Sequence, residues 1–268
     1  MVKYKLFLCF AVMALTAHVF AQTWGSNAEL NMLEGYYVKS LNEFMHRFNA
    51  DEIPPFIKEE MGTDIRRKCI LALFDFDQLS SAESEMAKRI MKFDSVVCAS
   101  NSLLSIDKQG LYAEARCAFR YKKQEIELSL VLVYEKMRDG YYKWALAGAN
   151  GLTEAGLIDT IRRGYINPVQ HELHFSELEG AFPHMSVFYG RNRVVDQLSF
   201  VAGLAESGML QLIGCQSVTY WFTQIPGYVF SVSLHPRLGG NAGWLIHDLM
   251  EIPDKDKTLF IDNLKGVI

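Results

Sequence analysis

The sharpest cluster of chemistry-capable side chains is His171-Glu172-Leu173-His174-Phe175-Ser176-Glu177. On a helix, His171, His174 and Glu177 share one face and could ligate a metal; on a strand, the two histidines point to opposite faces and the site fails. The second histidine falls one residue short of the His-Glu-x-x-His spacing of zinc proteases. Solvated side chains on a surface segment after Pro168 are therefore the plainer reading, and no metal is expected. Asp75-Phe76-Asp77 sets two carboxylates at alternate positions, the spacing that paired acids need in an extended segment. A loop at a helix end with exposed charge explains the same pair. There is no Gly-x-Ser-x-Gly for a serine nucleophile. Gly239-Gly240-Asn241-Ala242-Gly243 lacks the basic residue of a phosphate-cradling loop. His235-Pro236-Arg237 and His247-Asp248 read as isolated polar residues. No catalytic residue, metal or cofactor is assigned.

Aromatic residues are the remaining candidates. Tyr220, Trp221, Tyr228 and Trp244 gather on three successive strands near the C-terminus, with Phe222 and Phe230 among them. Left accessible, Trp and Tyr anchor recognition surfaces. These four are the predicted binding residues. The alternative is that the rings pack between two structural units.

The elements that would position these groups follow from periodicity. Leu30, Leu33, Tyr37, Leu41, Phe44 and Phe48 recur at steps of three and four, which predicts one long amphipathic helix ended by Pro54-Pro55. Ile65, Cys69 and Leu73, with Ile70 and Phe74 beside them, predict a second helix. Ser80-Ser81-Ala82-Glu83 reads as a capping box opening a third, through about Met91. A short strand is expected near Ser95–Ser100. Alternation then takes over in three strands, Tyr112–Tyr121, Glu125–Glu135 and Tyr142–Gly148, the last two joined through Arg138-Asp139-Gly140. The inward set reads as Ala113, Cys117, Phe119, Ile126, Leu128, Leu130, Trp144 and Leu146. It holds no carboxylate or histidine, which argues against catalysis there; the reverse facing would present Glu114, Arg116 and Glu127.

A connection follows, with a short helix possible at Glu154–Arg163. The second half repeats the order: a helix from Val195 to about Ala205, then strands at Val218–Phe222, Tyr228–Leu234 and from Gly243, with Ile225-Pro226-Gly227 as a turn. The fold class is α+β. The boundaries read as a leader at 1–21, a first α+β unit at 22–150, a linker at 151–167 and a second, smaller α+β unit with a three-strand meander at 168–268.

The first unit resembles the NTF2-like superfamily. The resemblance rests on the helix Leu30–Phe48, the shorter helices to Met91 and the meander closing with Tyr142-Lys143-Trp144, and it covers about residues 25–150. It implies a curved antiparallel sheet around a pocket beneath the helices. Enzymes, binding modules and dimerising partners all share that fold, so it does not select a function.

The first 22 residues give an address. Lys3 and Lys5 precede the apolar run Leu6–Leu15, and Val19 and Ala21 occupy the −3 and −1 positions of a cleavage site before Gln22, as in a secretory signal peptide. The run is too short to span a bilayer, and Cys9 lies too early for a lipoprotein. The expectation is export across the inner membrane into the periplasm, with no stable transmembrane anchor. Losing Lys3 and Lys5 reduces the 27 basic residues to 25 against 31 acidic ones, a net of −6. With no basic stripe, nucleic acid is not an expected partner. Cys69, Cys98, Cys117 and Cys215 remain after the leader; buried thiols are favoured, and disulfides stay open. The function read from the chain is a secreted, non-enzymatic binding or assembly protein for an undefined protein or small-molecule ligand. The alternative is an NTF2-like enzyme or a metal-assisted hydrolase.

Overall fold

The computed structural model describes residues 37–54, 64–74, 85–157, 197–236 and 241–267. The leader, Leu30 and Leu33, Asp75 and Asp77, the Ser80–Glu83 box, His171, His174 and Glu177, and Val195 lie outside the described residues. Helices and a seven-stranded mixed sheet make an α+β protein. The strands are β1 (Tyr37–Val38), β2 (Leu111–Tyr121), β3 (Gln124–Lys136), β4 (Tyr142–Asn150), β5 (Leu210–Phe222), β6 (Tyr228–His235) and β7 (Ala242–Glu251). The helices are α1 (Leu41–Asn49), α2 (Ile65–Leu71), α3 (Glu85–Ser100), α4 (Gln197–Glu206) and α5 (Lys257–Leu264). The sheet order is β1-β7-β6-β5-β2-β3-β4. The two meanders read from the sequence thus belong to one sheet, because β5 pairs with β2 from Leu111↔Phe222 to Tyr121↔Leu210. The chain divides into two compact units, one drawn from residues 1–103 and 234–247, the other from 104–233 and 248–268.

The first of these units is helical, with β1 and parts of β6 and β7. Its first helix starts later than the apolar spacing predicts. Ser40 caps α1, its hydroxyl accepting from Glu43 N at 3.2 Å, while Glu43 Oε2 accepts from Lys39 N at 2.8 Å. Tyr37 is consequently in a strand, β1, which runs parallel to β7 through Tyr37↔Ala242 and Val38↔Gly243. Gly243 has φ +88°, and a Cβ there would run into the Val38 carbonyl, so this approach requires glycine. The third helix continues to Ser100, replacing the strand expected at 95–100: Ile90, Phe93, Asp94 and Val97 recur at helical steps and are all buried. Phe44, Phe48, Phe74 and Phe93 form the centre, with neighbouring ring centroids 6.0–6.4 Å apart. Asn241 Nδ2 donates to the Ala72 and Phe74 carbonyls at 2.9 and 2.5 Å, satisfying the end of α2.

The second unit is built on β2, β3, β4 and β5. β2 is buried on both faces at Tyr112, Ala113, Cys117, Ala118 and Phe119, as befits an interior strand. On one face α4 covers a core of Ala115, Cys117, Phe119, Leu128, Val201, Leu204 and Leu210. On the other face lies α5. A Cβ on Gly148 would come within 2.5 Å of the Lys265 carbonyl oxygen, so glycine lets the end of α5 rest directly on β4. Lys257, at the start of α5, is buried and donates from Nζ to the Thr223 and Ile225 carbonyls at 2.9 and 2.6 Å, with Asp254 2.7 Å away. These bonds fix α5 to the turn before β6.

Candidate functional site

Directly opposed residues on antiparallel strands share a face. On β3 and β4, Leu132 opposes Leu146, Tyr134 opposes Trp144 and Lys136 opposes Tyr142. Across β2, Ala113 opposes both Leu132 and Tyr220, which places Tyr220 on the same face. The rings meet in sequence. Tyr142 stacks on Tyr134 at 5.2 Å and 14°, Trp144 stands edge-on to Tyr134 at 5.0 Å, and Tyr220 lies 5.9 Å from Trp144. Such offset and edge-to-face pairs are favourable ring geometries. The rings come from three strands, with β2 lying between β5 and β3, and all four residues are half-buried. Leu146 beside it is 55% exposed. Lys136 Nζ sits 5.4 Å from the Tyr142 ring centroid and closes one end with a cation–π contact. Burial pushes the Tyr220 phenol above its ordinary pKa, so it stays an O–H donor at neutral pH.

The four predicted binding residues do not form one surface. Tyr220 joins the row just described. Trp221 points to the opposite face, where its Nε1 donates to Glu114 Oε2 at 2.9 Å and its ring meets Phe260 of α5 at 5.4 Å. Tyr228 is only 3% exposed, so it belongs to the interior and not to an accessible platform. Trp244 is half-buried on β7, among the residues of the other unit. Conversely, Tyr134, Tyr142 and Leu146 are absent from the predicted binding residues, and Trp144 and Leu146, expected to face inward, are half-buried and exposed respectively. The signal for them was present: the Arg138-Asp139-Gly140 turn sets the β3–β4 register, and alternation puts Tyr134, Trp144 and Leu146 on one side.

The described titratable groups offer no poised acid or base in this face. Among the described residues, the one fully buried carboxylate is Asp94 on α3, and both its oxygens are engaged: Arg67 Nε donates to Oδ2 at 2.5 Å and Cys98 Sγ to Oδ1 at 3.6 Å. Burial raises the Asp94 pKa against the opposing pull of Arg67. Burial and the neighbouring Asp94 push the Cys98 thiol up, away from nucleophilic thiolate. The arrangement fastens α2 to α3. Among the described residues, no group of three or more His, Cys, Asp or Glu is placed to hold a metal. No helix among them is long and apolar enough to cross a membrane. Compared with known protein families, characterised proteins and solved structures, the chain matches none.

Proposed function

We propose that this is an exported, non-enzymatic binding or assembly protein that recognises its partner through the aromatic face of β3, β4 and β5. The observation that carries the reading is the row Tyr142–Tyr134–Trp144–Tyr220, half open beside an exposed Leu146. Tyr and Trp supply large, stiff contact area with a polar handle at the tip, which suits a surface that must be stable alone and covered in a complex. The row carries no charge except Lys136 at its end, so the matching ligand is a flat apolar surface of a protein or small molecule with acceptors for the phenol hydroxyls. The leader supports the periplasm as the place of action, and the order of three helices followed by β2, β3 and β4 supports descent from an NTF2-like ancestor.

Leu146→Glu puts a charge in the middle of the face without touching the buried core. With the wild-type chain and this variant used side by side as baits in a cell-envelope fraction, a partner held by the wild type and lost by Leu146→Glu, at equal melting temperature, is the expected result. Identical capture by both chains contradicts the reading.

A further inference from the structure

Two cysteines that lie far apart in the sequence meet in the sheet. Cys117 on β2 and Cys215 on β5 are directly opposed. On either side of them β5 carries an extra residue: Arg116 opposes Ser217 and Cys117 opposes Cys215, passing over Gln216, while Ala118 opposes Gly214 and Phe119 opposes Leu212, passing over Ile213. The pair therefore sits between two bulges, where the strand is locally bent and its side chains re-aimed. Opposed residues on antiparallel strands have Cα atoms roughly 4.5–5.5 Å apart, inside the roughly 4.4–6.8 Å range of disulfides. Each thiol makes a long bond to a carbonyl two residues away on its own strand, Cys117 Sγ to Ala115 and Cys215 Sγ to Ser217, both at 3.5 Å. Their environments differ. Cys117 is 2% exposed, within the core that includes Phe119, Leu128 and Val201, whereas Cys215 is exposed. The remaining described cysteines, Cys69 and Cys98, lie on α2 and α3 in the other unit.

We infer that Cys117 and Cys215 are an oxidation site that closes to a cross-strand disulfide stapling β2 to β5. The co-reactant is a small disulfide of the glutathione type. The Cys215 thiolate, the accessible one, attacks one sulfur of that disulfide; a mixed disulfide forms and one small thiol leaves. Cys117 then loses its proton and attacks Cys215 Sγ, forming the Cys117–Cys215 bond and expelling the second small thiol. Two protein thiols are oxidised, and one disulfide is reduced to two thiols. Burial, and next the adjacent Cys215, push the Cys117 thiol up to about 11, so ring closure is the slower of the two steps.

The test uses the reduced full chain equilibrated with glutathione disulfide, alkylated under denaturing conditions and digested with trypsin. Cleavage after Arg116 and Arg120 isolates Cys117 on a short peptide. The expected product is that peptide linked to the one bearing Cys215, released by dithiothreitol. In Cys215→Ser, an exposed substitution that leaves the core intact, Cys117 is expected to be recovered alkylated. Recovery of wild-type Cys215 only as a glutathione adduct, or only as a link between two chains, with Cys117 alkylated, overturns the inference.

Discussion

Two aromatic clusters with similar ring spacing have opposite fates. In the helical unit, Phe44, Phe48, Phe74 and Phe93 have no measurable exposure. In the sheet unit, Tyr134, Tyr142, Trp144 and Tyr220 make ring contacts of 5.0–5.9 Å yet stay half open. The residue types agree with the difference. Phenylalanine has nothing to hydrogen-bond and is best removed from water altogether, whereas each member of the second cluster carries an O–H or N–H that an entirely apolar surrounding would strand. Helical spacing also matters. Phe44 and Phe48 are one turn apart on α1 and meet Phe93 from α3, so the first cluster is enclosed by helices. The second lies on a sheet face whose helical cover, α4, packs on the far end around Cys117, Phe119 and Leu128.

The largest effect expected from this contrast is on Phe93→Ala, which should cost about 3–5 kcal/mol of unfolding free energy by urea titration, the value for emptying a packed aromatic site. Trp144→Ala should cost less, about 1–3 kcal/mol, since it gives up two ring contacts and leaves a hollow that water can fill. Equal losses for the two would mean that the sheet row is core, like the phenylalanine cluster.

A smaller effect sharpens the picture of how α5 is held on the opposite face. Lys257, and then the Gly227 amide, hold the Asp254 carboxyl below its ordinary pKa. A carboxylate depressed in the folded state adds stability above its unfolded pKa and loses it as pH falls through the folded one. Asp254→Asn should therefore lower the melting temperature slightly at pH 7, with the gap closing on acidification. Because Asp254 is mostly exposed, solvent screening keeps the shift small. A gap that widens at low pH would contradict the assignment.

Much of the sheet was legible from alternation alone. β2, β3 and β4 start and end within a few residues of the expected bounds, and Ala113, Cys117, Phe119 and Leu128 are buried as read. Periodicity says which side a residue faces but not which strand lies next door, so the β2–β5 pairing could not be seen. Nor does facing a side mean being covered: Trp144 and Leu146 share a side with Leu132, but the cover lies elsewhere. Tyr228 shows the reverse. It follows the Pro226-Gly227 turn, a surface signal, yet its ring is interior because β6 begins there with the buried run Tyr228-Val229-Phe230. The late start of α1 was legible in Ser40-Leu41-Asn42-Glu43, a capping box that the longer apolar spacing from Leu30 outweighed.

On the proposed function, the β3–β4–β5 aromatic face is open in the isolated chain and covered in its working complex. Hydroxyl-radical footprinting read by mass spectrometry addresses both halves at once, with Phe93 as the buried reference. Rapid oxidation of Tyr134, Tyr142, Trp144 and Leu146 is expected in the purified protein, with their protection in the native cell-envelope fraction and Phe93 slow in both. Oxidation of the row as slow as that of Phe93 in the purified protein, or equally fast in both preparations, would contradict the proposed function.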